Sequence, residues 1–107
     1  MSAIIALPGC TESSKRESEE LMAKIETKIA MPQRAWPLKD YSRYYYWASD
    51  TDHRKVYGVL SMDRKPGRWW VEVDEAPQIM DGGCSVISLT YDVLSDRVVS
   101  IFCNGEA

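Results

Sequence analysis

The sequence has too few of the residues that mark several functional classes. It contains one histidine, His53, and three cysteines without a Cys-x-x-Cys pair, so a closed structural zinc site would need all four of these residues, and they do not have the usual ligand spacing. No apolar run approaches the ~20 residues of a membrane-spanning helix. The net charge of −3 is not the basic excess of a protein held on nucleic acid by phosphate contacts. We therefore expect no metal site and no nucleic-acid partner.

Catalytic signatures are also missing. No Gly-x-Ser-x-Gly, Walker or Rossmann pattern occurs, and Asp81-Gly82-Gly83 is a turn signal too short to hold a phosphate. His53 follows Asp50 and Asp52 in a polar loop, where a lone histidine is typically a solvated surface residue; an acid/base site is the alternative. The sequence therefore predicts a protein that is not an enzyme and needs no cofactor.

The chain does contain one helical pattern ahead of its strand patterns. Its 107 residues are 45% hydrophobic and 27% charged, which is typical of a single globular domain. Ser14 and Glu17 have the spacing of a capping box, which predicts a helix start. Leu21 and Ile25 follow at helical spacing. We predict an amphipathic helix over residues 14–30.

After a connector with two prolines, the periodicity becomes that of strands. The predicted strands cover residues 42–48, 55–62, 68–74, 84–91 and 97–103. Their connections are short, which favours an antiparallel meander. With the helix packed on one face, the expected fold class is α+β, a two-layer sandwich. It forms a single domain over residues 14–107, preceded by an N-terminal tether or signal remnant over residues 1–13.

The first ten residues form a short apolar run that ends at Cys10. Leu7-Pro8-Gly9-Cys10 resembles the lipobox of bacterial lipoproteins, a Leu-x-small-Cys pattern at the end of a signal peptide. In that family the cysteine becomes the lipidated first residue of the mature protein. The resemblance implies a protein of the periplasm or outer envelope, attached to the membrane through Cys10 only. The alternative is an incidental cysteine at the start of a cytoplasmic protein.

The other two cysteines lie on the last two predicted strands. A loop over residues 92–95 pairs Tyr91 with Asp96, and in that register Cys84 lies opposite Cys103. A non-hydrogen-bonded antiparallel pair has Cα atoms about 4.5 Å apart, near the lower limit for a disulfide. Two buried free thiols are the alternative. Exported proteins oxidise such pairs and cytosolic ones rarely do, so a disulfide and the lipobox indicate the same compartment.

Tryptophan and tyrosine, the aromatic residues that carry a polar atom, are abundant in this chain. It contains four Trp and six Tyr but only one Phe. In the first predicted strand, alternation puts Tyr44 and Tyr46 on one face and Tyr45 and Trp47 on the other. One set can pack under the helix, and the other set lacks a predicted cover. The connector around Trp36, a second copy of the chain or a partner can supply that cover. Strong sheet curvature around a self-contained core is the alternative.

The candidates for a binding face are these aromatics and the arginines beside them: Tyr44, Tyr45, Tyr46, Trp47, Trp69, Trp70, Arg43 and Arg68. Trp70 is the expected outward residue because it alternates with charged residues. The leading interpretation is a small exported, non-catalytic binding domain with an unidentified protein partner or a second copy of itself. The alternative is an intracellular protein-binding inhibitor or immunity-type protein that docks by its aromatic sheet face.

Overall fold

A computed structural model describes residues 6–78 and 81–105 of the chain, with side chains from residue 14 onward. It contains one α-helix and five strands, as the sequence predicts. They are α1 (Ala6–Glu26), β1 (Ser42–Trp47), β2 (Lys55–Ser61), β3 (Gly67–Trp70), β4 (Gly83–Asp92) and β5 (Arg97–Asn104), with short 3-10 turns at Leu38–Asp40 and Val73–Glu75. Within the described ranges, no helix has both the length and the apolar character needed to cross a membrane.

The five strands form one mixed sheet, so the predicted antiparallel meander is wrong. The strand order is β3-β1-β2-β4-β5. β1 pairs antiparallel with β2 but parallel with β3, from Ser42 opposite Gly67 to Tyr45 opposite Trp70. A short connection does join β2 to β3, yet it passes the start of β1, where the Gly67 N–H donates to the Tyr41 carbonyl at 3.4 Å. β1 is therefore inserted between two strands that are consecutive in the chain.

The helix begins earlier than the sequence predicts. The capping-box residues Ser14 and Glu17 lie inside α1, so they do not mark its start. Residues 6–13 of the predicted tether are helical, and residues 1–5 lie outside the described residues. Cys10 falls in the segment whose side chains are not described, and its lipidation stays a prediction.

The helix also ends earlier than predicted, at Glu26. The Thr27 hydroxyl donates to the Lys24 carbonyl at 2.7 Å, and the Thr27 N–H also points to that carbonyl at 3.2 Å. Side chains that bond to helical carbonyls compete with continuation of the helix, which accounts for the early end. Ile29, beyond the helix, still packs partly buried against the core.

The main core lies between α1 and one face of the sheet. Met22 and Ile25 of α1 are almost completely buried, which confirms the predicted apolar stripe. They pack with buried residues from the chain before β1 and from the strands, namely Tyr41, Tyr45, Val56, Leu60, Ile87, Leu89 and Tyr91. Burial of each such aliphatic side chain stabilises the fold by about 1.5–3 kcal/mol. This contact joins the helix layer to the sheet layer.

A glycine of β2 makes room for the aromatic ring that β1 contributes to this core. Gly58 is opposite Tyr45 in the antiparallel pair. A Cβ at Gly58 would lie 3.0 Å from the Tyr45 ring and 2.8 Å from the Leu89 side chain. The missing side chain therefore lets the Tyr45 ring lie flat on the sheet, with its hydroxyl directed to the end of α1.

The opposite face of the sheet is covered in part by the crossover from β3 to β4, which is not among the three covers that the sequence suggested. Ala76, in the crossover from β3 to β4, is buried in a second small cluster with Tyr46, Val59 and Val86. The connector around Trp36 packs instead on the helix side through Met31, Ala35 and Leu38, and Trp36 itself is exposed. Large side chains on the sheet that remain exposed include Tyr57, Trp69 and Phe102.

Cys84 and Cys103 form a disulfide with their Cα atoms 4.5 Å apart, as the sequence predicts. The predicted register is nevertheless wrong near the loop, because Tyr91 pairs with Val98 instead of Asp96. The register shifts once after Thr90 and again between Gly83 and Ile87, which brings Gly83 opposite Asn104. The first shift moves the pairing further from the predicted register, and the second one restores it at the far end of the hairpin, where the cysteines lie.

Candidate functional site

One carboxylate at the end of α1, that of Glu26, ties the helix to two strands. It accepts a hydrogen bond from Arg43 Nε at 2.8 Å, one from Arg68 Nη1 at 3.0 Å and one from Tyr45 Oη at 2.7 Å. The Glu26 side chain is only 13% exposed, so these bonds lie largely out of water. Burial and the Glu26 carboxylate raise the pKa of Tyr45 well above its usual value, which keeps the phenol a proton donor.

The two arginines of this cluster are neighbours across the parallel pair of β1 and β3, with Arg43 opposite Arg68. Like charges that face each other in a sheet repel, and the Glu26 carboxylate between them compensates for that repulsion. Arg43 also donates to the carbonyls of Leu38 at 3.4 Å and Tyr41 at 3.2 Å. Both arginines are therefore engaged inside the fold, where they position α1 on the sheet.

N-terminal to Glu26, α1 and the sheet border a cleft of about 720 Å³. The helix contributes residues between Ser14 and Leu21 to one wall. The opposite wall includes Trp47 from the end of β1, Trp70 from the end of β3, and His53 from the loop after β1. Because β1 and β3 run parallel, their ends meet at the same edge of the sheet, and this brings the two indoles together.

The two indoles form a corner in this wall. The ring centroids of Trp47 and Trp70 are 5.4 Å apart, and their planes are inclined by 74°. His53 stacks on Trp47 with a centroid distance of 4.1 Å and an interplanar angle of 3°. The exposed imidazole thus holds the Trp47 ring in place, and the sequence-based view of His53 as a solvated residue misses this stacking.

Carboxylates outnumber cations among the residues that line the cleft. The acidic members are Glu17, Glu19, Asp50 and Glu72, and the basic ones are Lys15 and Arg68. Arg68 is already bound to Glu26 and lies 3.5 Å from Glu19. Within residues 14–78 and 81–105, the carboxylates of Glu17 and Asp50 and the ammonium of Lys15 have no ion-pair or hydrogen-bond partner. The cleft therefore presents uncompensated negative charge next to indole rings.

The predicted binding-face residues divide between the two faces of the sheet. Trp70 packs on the helix-side core, so its assignment as the outward residue is wrong, and Trp69 is outward instead. Trp69 is 41% exposed and stacks on Tyr44 with their ring centroids 5.3 Å apart. The residues of β3 alternate between the two faces of the sheet, as predicted, but the two faces are exchanged. Arg68 points to the helix side, because its guanidinium binds Glu26, and Trp70 points the same way.

Comparison with protein-family models, with curated proteins and with solved structures finds no match for this chain. In the described part of the chain, no group of three or more His, Cys, Asp or Glu side chains has an arrangement that would hold a metal ion. The functional argument consequently depends on the shape, the aromatic wall and the charge of the cleft.

Alanine substitution of the two adjacent tryptophans tests their assignment to opposite faces. We expect Trp70→Ala to lower the free energy of unfolding by about 2–3 kcal/mol, since it removes a ring that is packed against the core. Trp69→Ala should lose about 1 kcal/mol, the value of one partly exposed aromatic pair. Urea unfolding followed by far-UV circular dichroism measures both. Equal losses, or a larger loss for Trp69→Ala, would contradict the assignment.

Proposed function

We propose that this chain is a small exported, non-catalytic binding domain whose ligand occupies the cleft between α1 and the sheet. The cleft is the observation that carries the proposal. Its volume of about 720 Å³ lies within the range of about 300–1,000 Å³ that is usual for ligand pockets. Two indoles held by packing and stacking supply contact area at a low cost in conformational entropy, as they do in paratopes.

The disulfide supports the exported location. Cys84 and Cys103 are bonded, and disulfides persist in oxidising compartments such as the bacterial periplasm. Lipid attachment at Cys10 accords with the same route, and it would tether the domain to the periplasmic face or the outer envelope through the N-terminal end of α1. A cytoplasmic location is the competing assignment, and it predicts reduced thiols at both positions.

A second candidate function is protein binding by the sheet face that α1 does not cover. Tyr57, Trp69 and Phe102 are 41%, 41% and 53% exposed, which favours this candidate. Exposed apolar patches beyond a few hundred Å² usually mark interaction sites. An intracellular inhibitor or immunity-type protein, or a homodimer, would use this face. The two candidates place the ligand on opposite sides of the sheet, so they can be separated by experiment.

Indole signals in NMR spectra separate them, because each of the four tryptophans lies in a different environment. The oxidised protein is titrated with matched panels of anionic, neutral and cationic short peptides and small molecules. A ligand of the cleft is expected to shift the indole N–H signals of Trp47 and Trp70 and to leave that of Trp36 unchanged. No shift with any panel member would contradict the proposal. Trp69 also borders the cleft, so shifts of Trp69 together with the ring signals of Tyr57 and Phe102, with Trp47 and Trp70 unchanged, would favour the sheet face instead.

A further inference from the structure

We infer that the cleft binds a basic peptide segment, with one aliphatic ammonium or guanidinium group in the corner formed by Trp47 and Trp70. This inference rests on the proposed function and names the chemistry of its ligand. Three features of the cleft support the inference. They are the two indoles in its wall, the unpaired carboxylates of Glu17 and Asp50, and the ion pairs that already hold Arg68.

The indole corner offers aromatic and apolar surface to a cation with an aliphatic stem. An indole is the strongest aromatic partner of a cation, and the attraction acts within about 6 Å of the ring centroid. The two rings meet edge to face with their centroids 5.4 Å apart, and His53 stacks on one face of Trp47, so a cation would lie against the indole surface that these two contacts leave open. The CH₂ groups of a lysine or arginine side chain would pack on the same apolar surfaces.

The charge of the lining disfavours an anionic ligand. Arg68 is one of two cations in the lining, and Glu26 holds its Nη1 at 3.0 Å, while the other cation, Lys15, is a single exposed ammonium among four carboxylates. An anion would have to displace that carboxylate, and it would also be repelled by Glu17 and Asp50. A cation instead gains these two carboxylates as partners, neither of which has another partner among the described residues.

The placement of the two unpaired carboxylates favours a peptide over a compact cation. Glu17 lies on the helix wall, and Asp50 lies in the loop after β1, so they flank the indoles from different elements. Both are exposed, which leaves the cleft open to solvent at its margins. A single small ammonium ion fills only a fraction of about 720 Å³. A chain with two basic side chains reaches the indole corner and the carboxylates together.

The probe is an acetylated, amidated Gly-Lys-Gly-Lys-Gly peptide, with the arginine analogue as a second form. Its affinity is measured by isothermal titration calorimetry on the oxidised protein and by the indole N–H shifts. Controls are the same peptide with glutamine or glutamate in place of lysine. Choline and spermidine represent free small cations. The expected result is binding of the basic peptides in preference to every control, weakened by added salt.

Matched glutamate variants on α1 test the site without touching the core. Glu17→Gln removes a carboxylate of the cleft and should weaken binding about 1.5- to fivefold, the value of an exposed ion pair. Glu20→Gln removes an exposed charge of the same helix that does not line the cleft, and it should leave the affinity unchanged. Trp47→Leu should weaken binding by tenfold or more, provided that its circular dichroism spectrum matches the parent.

Three outcomes would overturn the inference. If Glu17→Gln and Glu20→Gln weaken peptide binding equally, the peptide is attracted only by the net negative charge of the protein and not by the cleft. Preference for the glutamine or glutamate peptide would contradict the cationic chemistry, although the proposed function would survive if the cleft indoles shift. Tighter binding of choline or spermidine than of the peptide would show that the ligand is a free small cation. Absence of any ligand at the cleft indoles would overturn the inference and the proposed function together.

Discussion

Replacing Glu26 by alanine is expected to lower the free energy of unfolding by about 3–5 kcal/mol. The substitution leaves Arg43 and Arg68 side by side across the parallel strand pair without their shared counter-ion. It also leaves the hydroxyl of the fully buried Tyr45 without its acceptor. Removal of one partner from a buried charge cluster is far more destabilising than loss of a surface pair, since the remaining charges stay out of water. Urea unfolding at neutral pH measures the loss.

Glu19 provides the matched control for this prediction. It lies on the same helix and contacts the same Arg68, but at 3.5 Å and with 52% of its side chain exposed. Glu19→Ala is therefore expected to lose less than about 1 kcal/mol. Glu26→Gln should fall between the two, because it keeps an acceptor oxygen and loses the charge. If Glu19→Ala and Glu26→Ala destabilise the fold equally, the Glu26 cluster does not hold α1 to the sheet.

The sequence indicates that Glu26 lies on the buried side of the helix, but it does not indicate which strand residues Glu26 binds. Glu26 follows Met22 by four residues and Ile25 by one, so it lies on the helix stripe that faces the core. A carboxylate in an apolar stripe indicates a buried partner. Arg43 and Arg68 were instead interpreted as flanks of a binding surface, because exposed arginines often contribute to binding hot spots. Local patterns identify which residues face inward, and they do not identify the charges that meet there.

The indole corner is beyond the reach of the sequence argument for a related reason. Periodicity predicts the approximate position of all five strands, since it depends on local alternation, although β3 ends at Trp70, four residues before its predicted end, and a 3-10 turn follows at Val73–Glu75. Strand partners depend on contacts between distant segments. In an antiparallel meander β2 would separate β1 from β3, and Trp47 and Trp70 would be about 9–10 Å apart in the sheet direction. Insertion of β1 between β2 and β3 makes these residues neighbours, and this insertion creates the cleft wall.

Loss of the Cys84–Cys103 disulfide is the second large effect that we expect. The bond closes a loop between positions separated by 19 residues, which corresponds to about 3 kcal/mol in the chain-entropy model. The Tyr41 hydroxyl donates to the Cys84 carbonyl at 2.6 Å and accepts the Trp36 N–H at 3.2 Å. Loosening the start of β4 would therefore also loosen the connector that follows α1.

The paired variant Cys84→Ser with Cys103→Ser is expected to unfold at a lower urea concentration than the parent, while Cys10→Ser leaves the midpoint unchanged. The disulfide also reports on compartment. Denatured, unreduced and unlipidated protein from an oxidising compartment should show one reactive thiol of its three cysteines. Three reactive thiols would contradict the disulfide, and with it the main support for export.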